Sequence, residues 1–128
     1  METLTTDQYQ MITYYYHLLN TIEEGFDYVN EGFNNLSKTE SDRIFSDILI
    51  AFNHIDSSNP TIVASLNDEQ NLSEAVKNFD IVIKELEGLE QFFMDSEKKH
   101  HYIKNQLTPA FVAWKETVQK KLQPYITN

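Results

Sequence analysis

Residues 12–36 read ITYYYHLLNTIEEGFDYVNEGFNNL, and a single stripe of apolar side chains runs through this stretch. Neighbouring members of the stripe are three or four residues apart throughout. They are Ile12, Tyr15, Leu19, Ile22, Phe26, Val29, Phe33 and Leu36. Because an α-helix completes a turn about every 3.6 residues, this spacing puts all of them on one helix face. The stretch therefore predicts a long helix from Asp7 to Leu36, with Thr6 as its N-cap.

Two glycines lie within this predicted helix, at positions 25 and 32. A glycine in a helix interior costs about 1 kcal/mol relative to alanine, so a compensating role is expected. We interpret Gly25 and Gly32 as positions where a neighbouring helix approaches closely. The alternative is a helix that ends or bends near Gly32.

The same spacing of apolar residues predicts three further helical segments. The inward face of the second consists of Ile44, Phe45, Ile48, Ala51, Phe52 and Ile55. The third carries the stripe Leu72, Ala75, Phe79, Val82, Leu86, Leu89 and Phe93. The inward face of the fourth consists of Ala110, Phe111, Trp114, Val118 and Leu122.

Prolines are expected to interrupt these segments, because proline lacks the N–H that continues a helix. Pro60 is predicted to end the second helix, which leaves residues 61–66 as a short helical piece of their own. Pro109 either kinks the fourth helix or starts a separate one, and Pro124 ends it.

Polar stretches mark the connections between the helices. Residues 37–42 fit two overlapping capping boxes, and Asn71 precedes the third stripe as a helix-start signal. Residues 94–97 are predicted to form the turn into the fourth helix. One continuous helix through Gln106 is the alternative.

Heptad-like stripes with short connections are typical of bundles in which each helix packs antiparallel to the next. The sequence therefore predicts an all-α fold, an antiparallel up-down-up-down four-helix bundle in one domain of residues 1–128. The second helix is expected to be irregular or extended, and the C-terminal helix to be kinked by proline or restarted.

Composition excludes several classes of function. The chain has 128 residues, no cysteine and a formal net charge of −10. The absence of cysteine excludes disulfides, thiolate metal sites and cysteine nucleophiles, and the acidic balance argues against nucleic-acid binding. No apolar run approaches the roughly 20 residues that span a bilayer. The first residues lack the basic start of a signal peptide, so we expect a cytoplasmic protein that does not bind membranes.

No motif predicts catalysis, a metal or a cofactor. A di-metal bundle site needs two Glu-x-x-His motifs, whereas this chain has one, from Glu97 to His100. The three glycines stand apart and form no phosphate-binding loop. The four histidines are expected to be solvated or to cap helices.

The distribution of charge and the aromatic residues outside the apolar stripes predict a partner-binding surface. Residues 1–95 hold 18 acidic and 4 basic residues, whereas residues 96–128 hold 2 acidic and 6 basic ones. The middle tyrosine of the 14–16 run lies in the stripe and the first should face outward. The predicted partner-binding residues are Tyr14, Lys98, Lys99, His100, His101 and Lys104. The alternatives are that Tyr14 covers an interhelical groove and that the basic helix neutralises its acidic neighbours.

Two segments resemble a known family. They are Glu24-Gly25-Phe26-Asp27-Tyr28 and Leu107-Thr108-Pro109-Ala110-Phe111-Val112-Ala113-Trp114-Lys115. With the helix layout, they resemble a family of small uncharacterised helical-bundle proteins of Gram-positive bacteria. The resemblance implies an all-α bundle and transfers no catalytic residue.

The favoured function is a non-catalytic, cytoplasmic protein-interaction module, such as an adaptor, a chaperone-like bundle or a regulator. The alternative is a ligand carrier or enzyme with a polar site inside the bundle. Heptad stripes also join helices of separate chains, so a homodimer is a further expectation.

Overall fold

The computed structural model describes residues 4–32, 38–66 and 71–126, and these residues form helices and no strand. The first two helices are α1 (Thr6–Gly32) and α2 (Lys38–Ser65). The third segment consists of α3 (Leu72–Lys77), α4 (Phe79–Leu89) and a 3₁₀ turn (Glu90–Phe92). The fourth consists of α5 (Ser96–Tyr102), a π-helical turn (Ile103–Leu107) and α6 (Thr108–Ile126).

The predicted stripes form the core. In α1 the buried stripe members are Ile12, Tyr15, Leu19, Ile22, Phe26 and Val29. Aromatic rings from four segments meet at its centre: the ring centroids of Phe26 and Phe111 are 5.5 Å apart, and those of Phe52 and Phe79 are also 5.5 Å apart. Such ring pairs add about 0.5–1.5 kcal/mol each to the burial of their area. The all-α, four-helix character predicted from sequence is therefore confirmed.

Helix α1 packs against α2 and α6, and α6 also packs against α3 and α4. A Cβ atom on Gly25 would lie 3.3 Å from the Ile48 side chain on α2, so the predicted close approach at this glycine is confirmed. An ion pair of 2.7 Å between Lys115 and Glu23 joins α6 to α1, as expected for a basic helix among acidic ones.

The N-terminus of α1 begins one residue earlier than predicted. Thr5, not Thr6, caps the helix, since its Oγ1 accepts a hydrogen bond of 3.1 Å from the Gln8 N–H. The Gln8 side chain accepts one of 3.0 Å from the Thr5 N–H in return. This reciprocal pair is a capping box. The predicted stripe members Phe33 and Leu36, and the predicted capping residue Ser37, lie outside the described residues.

Helix α2 continues through Pro60, so the predicted helix end at this proline was wrong. Proline in a helix interior costs about 3 kcal/mol. The continuation buries Ile62 and Leu66 on the face that already carries Ile55, and burying two such side chains contributes about 1.5–3 kcal/mol each. Residues 61–65 are therefore part of an extended second helix, and Leu66 follows directly after it.

The third segment follows its stripe until α4 ends. Asn71 precedes α3, as predicted, in a left-handed conformation with φ of 57°. Phe93, however, is 52% exposed, and its assignment to the core was wrong. The 3₁₀ turn at residues 90–92 advances about 120° per residue instead of about 100°, which rotates Phe93 off the buried face.

The fourth segment begins at the predicted turn. The Asp95 side chain accepts a hydrogen bond of 3.1 Å from the Lys98 N–H and caps α5, so the alternative of one continuous helix was wrong. At Thr108 the backbone N–H donates to the Ile103 carbonyl five residues back. The π-helical turn thus joins α5 to α6 ahead of Pro109. Pro124 does not end α6, because the helix continues to Ile126 and buries Tyr125.

Across the described ranges, no helix is long and apolar enough to cross a membrane. The up-down-up-down order of the segments stays a prediction.

Candidate functional site

Helix α5 is fixed on the molecule by Tyr102, whose hydroxyl donates a hydrogen bond of 2.8 Å to Glu85 on α4. Partial burial and this carboxylate raise the pKa of Tyr102 above its ordinary value. A Cβ atom on Gly88 would overlap the Tyr102 hydroxyl. The glycine is therefore needed for the ring of Tyr102 to lie across α4.

A concave surface lies beside α5, and we call it the α5 groove. It is lined by Phe92, Glu97, Lys98, His101, Tyr102 and Gln106, with a volume of about 650 Å³. The Phe92 ring forms one wall and packs on the Tyr102 ring at 5.5 Å between centroids. The groove combines an aromatic wall with Lys98, His101 and one acidic side chain, Glu97.

Two apolar side chains project beside the groove, at the turn that precedes α5. Met94 is fully exposed and Phe93 is half exposed; together we call them the α5 tip. Large apolar side chains exposed next to each other are typical of protein contact sites when a polar rim surrounds them. The α5 tip and the α5 groove therefore form one surface, in which exposed apolar side chains adjoin a lining that carries Lys98 and His101 but also Glu97.

Lys99 is engaged within the protein. Its ammonium group lies 5.4 Å from the centroid of the Phe93 ring and 6.0 Å from that of Phe45. Contacts at these distances are cation–π interactions. Lys99 thus contacts rings of the protein itself, including Phe93 of the α5 tip, and is less available to a partner.

His100 is buried, with 7% of its surface exposed, so the structure removes it from the predicted partner surface. Of the two roles expected for this histidine, solvation was wrong. A hydrogen bond links its ring to the Val29 backbone on α1, and burial lowers its pKa to about 4. His100 continues the buried face that also holds Ile103 and Leu107.

The remaining predicted residues are exposed, but the structure does not bring all of them together. Lys98, His101 and Lys104 are exposed on or next to α5. Tyr14 is 69% exposed on α1. It lies 15 residues before Val29, the α1 contact of His100, which is roughly 22 Å along the helix. Tyr14 therefore belongs to a different surface.

Sequence reasoning missed Phe92, Glu97, Tyr102 and Gln106 as groove residues. No local motif marks them, because they converge only when the chain reverses at residues 93–95. The adjacent apolar residues 92–94 were a signal for the α5 tip, since a regular helix would not bury all three side chains on one face.

Buried polar side chains make separate contacts along α1 and do not converge. The Tyr15 hydroxyl donates a hydrogen bond of 2.6 Å to Asn59 Oδ1, Glu23 pairs with Lys115, and Val29 meets His100. These contacts are six to eight residues apart on α1, or roughly 9–12 Å. In the part of the chain that the structure describes, no group of three or more His, Asp or Glu side chains could hold a metal ion.

Residues 10–117 match the model of a family described as Domain of unknown function (DUF8042). The chain belongs to this family. The DUF8042 match runs from α1 into α6 and includes every residue of the α5 groove. No solved structure matches the chain.

The DUF8042 chain is also similar to the Uncharacterized protein YvzG of Bacillus subtilis (strain 168). The two are 34% identical over 122 residues, which cover 95% of this chain and 97% of the relative. The resemblance to a family of Gram-positive bacteria, drawn from the sequence, is therefore confirmed.

Proposed function

We propose that the protein is a non-catalytic interaction module of the cytoplasm that docks an acidic segment of another protein on the α5 groove and the α5 tip. The observation that carries this proposal is the full exposure of Met94, four residues before Lys98 of the α5 groove. Methionine adapts its shape to varied apolar surfaces, which suits a docking contact.

Charge supports an acidic partner. Residues 96–128 carry four more basic than acidic residues, against an excess of 14 acidic residues before them. A segment with Asp or Glu beside an apolar anchor would be attracted to Lys98 and Lys104 and repelled by Glu97 and by the acidic remainder of the chain. Such complementary charge chiefly sets the association rate and the choice of partner.

The fixed position of α5 also supports docking. Asp95 caps the helix and Tyr102 ties it to Glu85, so the groove walls are ordered before a partner arrives. Preorganised surfaces bind more tightly because they lose less conformational freedom on association. The absence of cysteine suits a reducing compartment.

Quantitative affinity capture from the native cell tests the proposal. The tagged wild-type protein is compared with a Lys98→Glu/Met94→Ser variant and with a Lys120→Glu control. Lys120 is an exposed lysine on α6, 16 residues beyond Lys104 and so roughly 24 Å along the helical segment.

We expect a defined acidic protein that is enriched with the wild type and the control and at least about tenfold depleted with the double variant. Equal enrichment with all three proteins would contradict docking at α5. Recovery of no protein with the wild type would count against an interaction module altogether.

A further inference from the structure

A second concavity lies on another part of the molecule, between the C-terminal half of α2 and the α3–α4 junction. Its volume is about 450 Å³, and we call it the α2–α3 pocket. Volumes of about 300–1,000 Å³ are usual for small-molecule sites. None of its lining residues belongs to the α5 groove, so the two surfaces can be tested separately.

The interior surface of the pocket is apolar. Pro60 and Val63 on α2 face Val76 and Phe79 on the third segment. Phe79 is held from behind by Trp114, whose ring centroid lies 4.6 Å away, and the Trp114 indole N–H donates a hydrogen bond of 3.0 Å to the Ala75 carbonyl. The apolar wall is therefore rigidly supported.

One polar side chain in the wall is almost wholly buried. Asn59 is 8% exposed and lines the pocket. The Tyr15 hydroxyl donates to its Oδ1 at 2.6 Å, which fixes the carboxamide from the core side. A buried, oriented carboxamide in the wall of an apolar pocket is typical of a ligand site.

Acceptor groups dominate the rim. The carboxylates of Asp56 and Asp80 line it, against one ammonium group, that of Lys77. Pro60 has no N–H to donate to the carbonyl of Asp56, four residues back. This carbonyl therefore lacks its usual helical donor.

We propose that the α2–α3 pocket binds a small amphipathic amine. The apolar part of the ligand lies against Pro60, Val63 and Phe79, and its ammonium group is held by the carboxylates of Asp56 and Asp80. Opposite charges attract more strongly beside an apolar wall, where less water screens them. The net charge of −10 favours approach of a cation over that of an anion.

Three probes that share an alkyl chain test the charge of the ligand: n-octylammonium, n-octanoate and n-octanol, each titrated into the full chain by calorimetry. We expect saturable binding of octylammonium that is about tenfold tighter than that of either other probe. Backbone amide shifts in NMR spectra should change at Val63, Val76 and Lys77. Equal binding of octanoate, or amide shifts centred on α5, would overturn the proposal, and so would the absence of octylammonium binding.

Matched variants test the position of the ligand. Asp56→Asn/Asp80→Asn keeps the shape of the rim and should weaken octylammonium binding about tenfold. Asp47→Asn is the control, since Asp47 is exposed on α2 nine residues before Asp56 and hence on the opposite helix face. Equal affinity of the two variants would contradict the site.

Ala64→Phe gives a second, independent test, because Ala64 lines the pocket and is exposed. The larger ring should block the pocket and abolish octylammonium binding while circular dichroism stays unchanged. Undiminished binding by this variant would overturn the proposal.

Discussion

At the scale of single residues, Tyr14 and Tyr15 show what periodicity can and cannot predict. The stripe placed Tyr15 inside and Tyr14 outside, and the structure confirms both positions. The hydrogen bond from Tyr15 to Asn59 could not be predicted from sequence, because Pro60 was expected to end α2 at that point. Burial raises the pKa of Tyr15, so the hydroxyl stays protonated and donates.

Tyr15→Phe should lower the free energy of unfolding by about 1–3 kcal/mol, since it leaves a buried Asn59 oxygen without its donor. Urea denaturation measures this change. Tyr14→Phe removes the same hydroxyl from an exposed neighbour and should change stability by less than about 0.5 kcal/mol. Equal effects of the two substitutions would contradict the buried contact.

His100 gives a second prediction at this scale, through pH. The pKa of a histidine is about 6.5 in an unfolded chain, whereas that of His100 is about 4 in the folded protein. Between these values the unfolded chain binds more protons, so stability falls as the pH falls. The free energy of unfolding is therefore about 2 kcal/mol lower at pH 5 than at pH 7.

The stability difference between pH 7 and pH 5 should therefore shrink by about that amount in His100→Gln. His54→Gln, which alters an exposed histidine of α2, is the control and should retain the wild-type difference. An unchanged pH dependence in His100→Gln would show that His100 is protonated without penalty in the folded state.

At the scale of elements, the limits of prediction lie at prolines and at changes of helix type. Pro60 and Pro124 lie inside helices because tertiary burial outweighs the local cost. The 3₁₀ turn before Phe93 and the π-helical turn before Thr108 shift the register by fractions of a turn, which spacing alone does not reveal. The α5 groove depends on both shifts, and so only Lys98 and His101 among its lining residues were predicted.

Gly88→Ala tests how α4 holds α5. A new methyl group would displace the Tyr102 hydroxyl and break its bond to Glu85, at a cost of about 1 kcal/mol or more. In a Tyr102→Phe background the hydroxyl is absent, and the alanine should stabilise α4 by up to about 1 kcal/mol. Thermal denaturation of the wild type, the two single variants and the double variant gives the interaction energy between the two positions. Additive effects would mean that Gly88 and Tyr102 do not interact.

At the scale of the whole molecule, most stripe members among the described residues are buried within a single chain. A homodimer built by joining stripes would have to expose this core, so we expect one chain per particle. Light scattering at micromolar concentration should give a mass near the 15.0 kDa of one chain. A mass twice as large would show that a surface outside the stripes joins two copies.

The division of charge also acts at this scale. The acidic first three segments and the basic fourth attract each other, as Lys115 and Glu23 show, yet Lys98 of α5 and the nearby Lys104 remain exposed. If the basic residues only neutralised the acidic segments of the same chain, a fully exposed Met94 next to them would have no role. This combination is the main reason to assign a partner to α5.

Site-specific photo-cross-linking in the native cell tests that assignment most directly. A photoreactive phenylalanine analogue replaces Met94 in one protein and Ile50 in another, because Ile50 is an exposed apolar residue on α2. Docking at the α5 tip predicts a discrete cross-linked product from position 94 that is absent from position 50 and is lost when Lys98→Glu is added. Cross-linking from position 50 alone, from both positions equally or from neither would contradict the central claim.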